Sequence, residues 1–442
     1  MAQLNRRINL LQATAINMID MVGIGPFVVI PLVIQYFNNS LFLWAWIFGA
    51  LVAFVDGMIW SELGATYPLA GGSYHFLNQA YGSKWGRMMS FLFVWQTSIQ
   101  APLVVASGAI GFAQYMQYLV PLNGYEQKLV SALVIILLTF LLYRKIETIG
   151  KISVLLWIGV IITMSWIIFG GFTHRQYSLN IWPGDTTVFF KAAFWVALGQ
   201  GSVKTIYSYL GYYNVCHLGG EIINPQKNIP KSIFISIACI AVLYLCMNIS
   251  VAQVIPPSEA TKYNFIVSVF IEKIYGVGAA RIATALMLWI AFASLFAVLL
   301  GYSRVPYAAA TDGNFFKQFS KLHPTKNFPH ISLLFIAGLG LLFSLSFSLK
   351  DVISAILAMR ILVQFIAQAI GVVLLREKKS KNVLPFKMAL YPLPVFVSIL
   401  FWLFVFFSTG WFALWGSILI ICGWIVYQIK TAMEKKIIDG RP

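Results

Sequence analysis

The chain has 442 residues, of which 60% are hydrophobic and only 10% are charged. Soluble domains carry about 25% charged residues, so this composition excludes an ordinary soluble domain and predicts a chain that lies in a bilayer. A net charge of +17 would suit a nucleic-acid partner, but most of the 31 Lys and Arg residues fall in loops on one side of the predicted spans. This bias follows the positive-inside rule. We therefore expect no nucleic-acid partner, contact with anionic lipid, a multi-pass protein of the plasma membrane, and both termini in the cytoplasm.

Apolar runs of the roughly 20 residues that a span needs recur along the whole sequence. Twelve are predicted, with centres near residues 22, 53, 102, 134, 161, 203, 242, 293, 340, 364, 397 and 419. We expect one all-α membrane domain over residues 1–442 with 12 transmembrane helices. Spans 1–5 would occupy 10–172, spans 6–10 would occupy 189–375, and two C-terminal helices would occupy 385–430. Because five is odd, the second half would be inverted relative to the first.

The first span contains residues that weaken a membrane helix, in the stretch "NMIDMVGIGPFVVIP" over residues 17–31. Gly23 and Gly25 let the backbone leave helical geometry, and Pro26 has no amide hydrogen. Asp20 places a carboxyl group just before them. A proline kink with close glycine packing, which membrane helices tolerate, would explain the stretch, and so would an interruption that binds a ligand.

The sixth span carries a second interruption, "YSYLGYY" over residues 207–213. Paired interruptions in corresponding spans are the best sequence indication of a transporter site, so the second one favours a ligand. A helix that stops and restarts leaves amide hydrogens free on one side and carbonyls free on the other. The restarted half suits a carboxylate, and the free carbonyls suit an ammonium group. Together the two breaks predict a site for both ends of an α-amino acid.

Four motifs follow one another over about 300 residues of the chain. They are "GIGPF" (23–27), "SELGATYPLAGGSYHFLNQAYG" (61–82), "YLGYYNVCHLGGEIINPQKNIPKSI" (209–233) and "YSRVPYAAATDGNFFKQFSKLHP" (302–324). In these segments the chain resembles the amino acid–polyamine–organocation superfamily, and most of all its L-type amino acid transporter branch. One departure is Pro26, where that family more often has Ile or Val.

The resemblance implies a fold and a function. The fold is a five-plus-five inverted repeat with discontinuous helices 1 and 6, and with the substrate between spans 1, 3, 6, 8 and 10. The function is a secondary active permease for amino acids that works by alternating access and performs no covalent chemistry, so we expect no enzyme. The segment "ASLFAVLL" (293–300) on span 8 is small and aliphatic, which favours a neutral substrate of modest size.

The resemblance also assigns residues to the substrate. They are Ile19, Asp20, Met21, Gly23, Ile24, Gly25, Thr97, Ser98, Tyr207, Ser208, Leu210 and Gly211. The amides of 23–25 would bind the carboxylate, and carbonyls of 19–21 and of the second break would bind the amine. Thr97 and Ser98 would face the side-chain pocket. Tyr207 would cover the substrate, unless it is a packed core aromatic.

Three ionisable residues lie several turns from a predicted span end: Asp20, Lys204 and Arg360. A lone charge there costs at least about 2.5–3.5 kcal/mol, so these side chains must face a cavity or one another. Asp20 stands where the family tends to have a neutral polar residue. It would bind the substrate amine, carry a proton, or pair with Lys204 or Arg360.

The coupling ion is left open by the sequence. Many members of the resembled family carry a lysine midway along span 5, whereas Gly159 occupies that place here and 152–170 has no ionisable residue. A proton on Asp20 and a sodium ion at Ser294 both stay as alternatives, and no metal or other cofactor is expected. The residues assigned to gating or coupling are Asp20, Glu62, Lys204, Tyr207, Ser294 and Arg360. Glu62 and Glu221 would order internal loops or a gate.

Parts of the sequence are also compatible with functions other than an amino acid permease. Asp20 gives some support to a proton- or sodium-coupled carrier of the same fold for polyamines or other organic cations. A membrane enzyme would need clustered catalytic side chains, and the five histidines show no metal spacing. A channel or a sensor is a further alternative. The four cysteines, Cys216, Cys239, Cys246 and Cys422, fall within or beside spans, so no disulfide-linked partner subunit is expected.

Overall fold

Helices form almost the whole chain in a computed structural model that describes residues 4–37, 39–263, 265–347, 349–378 and 384–438. In chain order they are α1 (Leu10–Met21), α2 (Gly25–Phe37), α3 (Leu43–Thr66), α4 (Ser73–Met116), α5 (Gly124–Leu142), α6 (Ile146–Thr173), α7 (Ala192–Tyr209), α8 (Asn214–His217), α9 (Pro225–Val254), α10 (Pro257–Ala260), α11 (Ile266–Tyr302), α12 (Arg304–Thr311), α13 (His330–Ser346), α14 (Leu349–Arg360), α15 (Gln368–Lys378), α16 (Leu393–Ser408) and α17 (Trp411–Ile438). A π-helical segment, Ile361–Ala367, joins α14 to α15. The architecture is therefore all-α, as predicted.

Every predicted span centre falls in one of these helices or at the break between α1 and α2. Eight helical stretches of the described residues are long and apolar enough to cross a membrane, and the bent pair α1–α2 makes a ninth. The three other predicted centres, near 203, 340 and 397, fall on α7, α13 and α16, which are shorter or less apolar. The count of twelve, the halves 10–172 and 189–375, and their inverted relation stay predictions.

The ends and bends of the helices follow from local sequence. Asn9 caps α1, because its side chain accepts from the Gln12 amide while the Gln12 side chain accepts from the Asn9 amide, both at 3.0 Å. This reciprocal pair satisfies two of the amides that a helix start leaves free. Two long helices bend at glycines of positive φ, α4 at Gly82 and α11 at Gly276.

The two interrupted helices lie at the centre of the packing. Helix α1 packs against α6, α9 and α11, whereas α2 packs against α7. Helix α4 packs against α11, α13 and α14, so it borders the same region. The interruptions are thus surrounded by helices on several sides, and the polar groups they free must find partners inside the protein.

Candidate substrate site

The first break separates α1 from α2 at Val22–Ile24, and the helix axis bends by 44° between them. Val22 leaves helical geometry with φ −91° and ψ 77°, and its amide still donates to the Met18 carbonyl at 2.9 Å. Helix α2 restarts at Gly25 with Pro26 as its second residue, where a missing amide hydrogen costs nothing. The predicted interruption of the first span is confirmed.

The second break lies between Tyr209, where α7 ends, and Asn214, where α8 begins. Gly211 adopts φ +124°, which side-chain-bearing residues rarely adopt. A Cβ atom at this position would lie 2.8 Å from the Met21 amide nitrogen and 2.9 Å from the Asp20 carbonyl carbon. The second break therefore touches the end of α1, and only glycine permits this approach. The predicted interruption of the sixth span is also confirmed.

Both breaks open onto one cavity. Its lining residues are Asp20, Met21, Gly23, Ile24, Gly25, Pro26, Val104, Gly108, Tyr207, Ser208, Leu210, Gly211, Tyr213, Ser294, Leu295, Val298, Tyr302 and Arg360. They come from α1, α2, α4, α7, α11 and α14 and from the two breaks. Most residues that the resemblance assigned to the substrate thus lie around one hollow.

Several assigned residues lie elsewhere. Ile19 is fully buried and does not line the cavity. Thr97 and Ser98 are also absent from its lining, whereas Val104 and Gly108 of the same helix α4 are part of it. At 1.5 Å per residue, Thr97 lies about 10 Å before Val104 along the helix. The expectation that Thr97 and Ser98 face the pocket is therefore corrected: the part of α4 that lines the cavity begins about two turns later along the helix.

The carbonyls freed by the breaks have partners within the protein. The Tyr244 hydroxyl of α9 lies 2.7 Å from the Met21 carbonyl oxygen and 3.1 Å from that of Ser208, and it donates between them. The Ser294 hydroxyl donates to the Asp20 carbonyl at 3.3 Å. Tyr244 thus fastens the end of α1 to the end of α7. A carbonyl oxygen has two lone pairs, so these bonds leave acceptor capacity for an ammonium group.

Tyr207 stands beside the start of α2. A Cβ atom on Gly25 would lie 3.0 Å from the Tyr207 ring, and the Tyr207 hydroxyl lies 3.1 Å from the Ser107 hydroxyl of α4. The ring therefore spans from the first break to α4 along the cavity wall. That Tyr207 covers a bound substrate stays a prediction.

Two ionisable residues, Asp20 and Arg360, line the cavity. Their charges have opposite sign, yet in the described part of the chain no Lys, Arg or His nitrogen lies within 4.0 Å of the Asp20 carboxylate. The expected ion pair of Asp20 with Lys204 or Arg360 is therefore not formed in this conformation. Lys204 lies on α7 one turn before Ser208, whose hydroxyl donates to the Lys204 carbonyl at 3.2 Å, and it does not line the cavity.

Buried polar contacts with neighbouring helices fix the second break on the side away from the cavity. Asp56 of α3 accepts from the Tyr212 hydroxyl at 2.5 Å and from the Trp402 indole at 3.0 Å. The Asn17 side-chain oxygen accepts from the Val215 amide at 2.9 Å. The non-helical segment is thus fixed to α1, α3 and α16, which orients its backbone toward the cavity.

Glu62 and Glu221 lie away from the cavity, in two buried ion pairs. Glu62 accepts from Arg376 at 2.6 Å and from the Met388 amide at 2.8 Å. Glu221 accepts from Arg304 at 2.8 and 2.9 Å. Both arginines belong to the predicted cytoplasmic side. The pairs connect helices to loop segments, consistent with the expected ordering of internal loops or a gate.

Seven lining residues are outside the predicted substrate and gating sets: Pro26, Val104, Gly108, Tyr213, Leu295, Val298 and Tyr302. Tyr213 and Tyr302 fall inside two of the four family motifs, but no neighbouring residue indicates that their side chains line a cavity. Tyr244 was missed too, although a hydroxyl in an otherwise apolar span indicates a buried acceptor nearby. The described residues contain no group of three or more His, Cys, Asp or Glu side chains that could hold a metal ion, and the absence of a cofactor stays a prediction.

Comparison with known proteins decides the family. A family model described as "Amino acid permease" matches residues 8–428. The chain belongs to the amino acid permease family. The permease is 25% identical to the serine/threonine exchanger SteT of Bacillus subtilis over 415 residues, which cover 92% of this chain and 91% of that protein. It is 25% identical to the large neutral amino acids transporter small subunit 2 of Homo sapiens over 429 residues, 95% of this chain and 78% of that one.

A third relative, the Asc-type amino acid transporter 1 of Mus musculus, is 23% identical over 347 residues, which cover 76% of this permease and 64% of that protein. The family and these relatives confirm the resemblance stated from the motifs. They identify an integral membrane permease for amino acids and not an enzyme. They do not favour the alternative of a carrier for polyamines or other organic cations.

Proposed function

We propose that this permease carries neutral α-amino acids of modest size and binds them between its two helix breaks. The amides of Gly23, Ile24 and Gly25 bind the α-carboxylate at the start of α2. The α-ammonium group lies toward Asp20 and the carbonyls at the end of α1, and Tyr207 covers the substrate. One observation carries this proposal: two separate helix interruptions open onto the same cavity.

The proposed substrate class rests on the lining of the cavity. Asp20 and Arg360 contribute one negative and one positive formal charge, so an uncharged or zwitterionic molecule leaves the buried site neutral overall. Val104, Leu295 and Val298 add an aliphatic wall. Burial of unbalanced charge at membrane depth is costly, which supports a neutral amino acid over a cationic one.

Transport is proposed to proceed by alternating access, in which α1–α2 and α7–α8 rock against the surrounding helices. Coupling uses either a proton on Asp20 or a sodium ion near Ser294, whose hydroxyl reaches the end of α1. The proposal includes the plasma membrane as location, both termini in the cytoplasm, and no disulfide-linked partner subunit, because no cysteine falls in a predicted outer loop.

Uptake of labelled amino acids into proteoliposomes tests this function, with and without proton and sodium gradients. The informative variant is Gly25→Val, because a side chain there meets the Tyr207 ring at 3.0 Å and fills the carboxylate site. Two control variants, each a single substitution in the wild-type protein, are measured beside it. Gly338→Val makes the same change on α13, where a Cβ atom meets nothing within 4 Å, and Cys422→Ala alters an exposed side chain of α17.

We expect wild-type protein and both controls to accumulate neutral amino acids, and Gly25→Val to lose affinity by at least about tenfold. That loss is the scale of hydrogen bonds to a charged group. Unchanged uptake by Gly25→Val would contradict the assigned site. Failure of the wild-type protein to move or bind any amino acid would contradict the proposed substrate class.

A further inference from the structure

Arg360 occupies an unusual position for an arginine. It is the last residue of α14, directly before the π-helical segment Ile361–Ala367, and π-helical turns occur frequently at functional sites. Its side chain is only 3% exposed, and its Nε–H has no partner in the described part of the chain. The guanidinium lies over the rings of Tyr213 and Tyr302, at 5.6 and 5.3 Å from their centroids.

The other two well-buried arginines differ from Arg360 in one respect. Arg304 and Arg376 each donate two hydrogen bonds to a glutamate, as a guanidinium at low exposure normally does. For Arg360, no carboxylate oxygen of the described residues lies within 4.0 Å. The aromatic rings supply attraction but accept few of its five N–H groups. Arg360 also makes a side-chain hydrogen bond to Tyr213, which occupies one of its five N–H groups, so donors remain for the cavity that it lines.

The position of Arg360 along the cavity separates it from the carboxylate site. A Cβ atom on Gly23 would lie 2.7 Å from the Ser294 hydroxyl, so Ser294 marks the end of the cavity at the first break. Tyr302 follows eight residues later on α11, about 12 Å along the helix axis. Since Arg360 lies over Tyr302, its guanidinium lies on the Tyr302 side of the cavity, within electrostatic range of Asp20.

We infer that Arg360 determines substrate specificity by donating hydrogen bonds to an oxygen atom at the end of the substrate side chain. This inference rests on the proposed function, in which the helix breaks bind the α-carboxylate and α-ammonium groups. The permease then prefers neutral amino acids whose side chain ends in a hydroxyl or amide oxygen over isosteric apolar ones. An apolar side chain would leave buried guanidinium donors without a partner, which sites of this kind reject strongly.

Competition between isosteric amino acids tests the inference on the wild-type protein. Threonine against valine and asparagine against leucine compete for binding of one labelled substrate in proteoliposomes. We expect the oxygen-bearing member of each pair to bind about tenfold tighter or more. If valine competes as strongly as threonine, and leucine as strongly as asparagine, the inference is wrong regardless of the results for the variants.

Three variants assign the preference to Arg360. Arg360→Met keeps an unbranched apolar side chain and removes the donors, so the threonine-to-valine ratio should fall toward one through weaker threonine binding alone. Arg360→Lys keeps a charge and some donors, so it should retain part of the preference. Arg281→Met is the matched control, because it makes the same change at an exposed position of α11 and should leave the ratio unchanged.

The outcomes separate this inference from the proposed function. A folded Arg360→Met protein that loses all amino acids equally shows that Arg360 only positions other groups, which overturns the inference and leaves the function intact. A ratio that stays at the wild-type value in Arg360→Met overturns it as well. Absence of amino acid binding in the wild-type protein contradicts the proposed function itself.

Discussion

The ion pair between Glu221 and Arg304 joins the segment after the second break to the start of α12. Glu221 is fully buried and Arg304 is 2% exposed, and two hydrogen bonds of 2.8 and 2.9 Å connect them. The Glu221 carbonyl also accepts from the amides of Arg7 and Ile8, both at 2.9 Å. These contacts draw the N-terminal segment, the second break and α12 together on the predicted cytoplasmic side. We predict that Glu221→Gln favours opening of that side.

The magnitude follows from burial. Removal of one partner from a buried ion pair typically costs about 3–5 kcal/mol, because the remaining charge is left uncompensated. If Arg304 regains water when the cytoplasmic side opens, the closed state alone bears this cost. At about 1.4 kcal/mol per tenfold change in an equilibrium constant, the ratio of open to closed protein should rise by about 140- to 4,000-fold.

The buried thiol of Cys216 reports on this opening. Its sulfur lies 3.8 Å from the Trp60 carbonyl oxygen, and it is 1% exposed. In a background in which the three other cysteines are replaced by alanine, the rate of alkylation by a membrane-permeant maleimide measures the fraction of time that Cys216 is accessible. The Glu221→Gln variant should react faster than the parent by up to the factor worked out above.

A double variant, Glu221→Gln with Arg304→Met, removes both members of the pair. It should react more slowly than Glu221→Gln alone, because no uncompensated charge remains in the closed state. An alkylation rate of Cys216 in folded Glu221→Gln that equals the parental rate would refute the reasoning. A double variant that reacts as fast as the single one would show that the effect is not a matter of buried charge.

Three further predictions concern the site and its supports. Asp20→Asn should shift or abolish the pH dependence of uptake, and an unaltered pH profile with unaltered substrate affinity would leave Asp20 only a structural role. Tyr212→Phe removes a donor from the buried Asp56 carboxylate, so it should lower stability by about 1–3 kcal/mol in detergent unfolding; no change in the unfolding midpoint would contradict this. Gly211→Ala should weaken substrate binding and cost about 1–3 kcal/mol of backbone strain, whereas Gly338→Ala, in a helix and in open space, should stabilise by up to about 1 kcal/mol. Equal thermal shifts for the two glycine variants would count against the strained geometry.

The helix breaks could be predicted from the sequence because their causes are local. Gly23, Gly25 and Pro26 act on the backbone within a few residues, and Gly211 permits a φ that other residues rarely adopt. The structure places the interruptions at these residues. The motifs led to the family for the same reason, since each is a continuous stretch of chain.

Side-chain partners across the bundle could not be predicted in the same way. Tyr244 lies 223 residues from Met21 in sequence, yet its hydroxyl donates to the Met21 carbonyl. Thr97 and Ser98 lie about two turns from the cavity-lining part of α4. No local sequence pattern determines the position of a long helix along its own axis relative to its neighbours. Likewise, the separation of Asp20 from Arg360 depends on the packing of α1 and α14 against other helices.

The contrast between backbone features with local causes and side-chain contacts between helices also bears on which parts of such a site tolerate substitution. In the proposed site, recognition of the α-carboxylate and α-ammonium groups through backbone amides and carbonyls depends on the path of the chain, so most side-chain substitutions should leave it intact. Recognition of the substrate side chain is proposed to depend on a few residues such as Arg360, Val104 and Tyr302, each of which lines the cavity from a different helix. From the inference about Arg360 we thus predict that a single substitution at residue 360 alters which amino acid the permease carries while its selectivity for α-amino acids is kept.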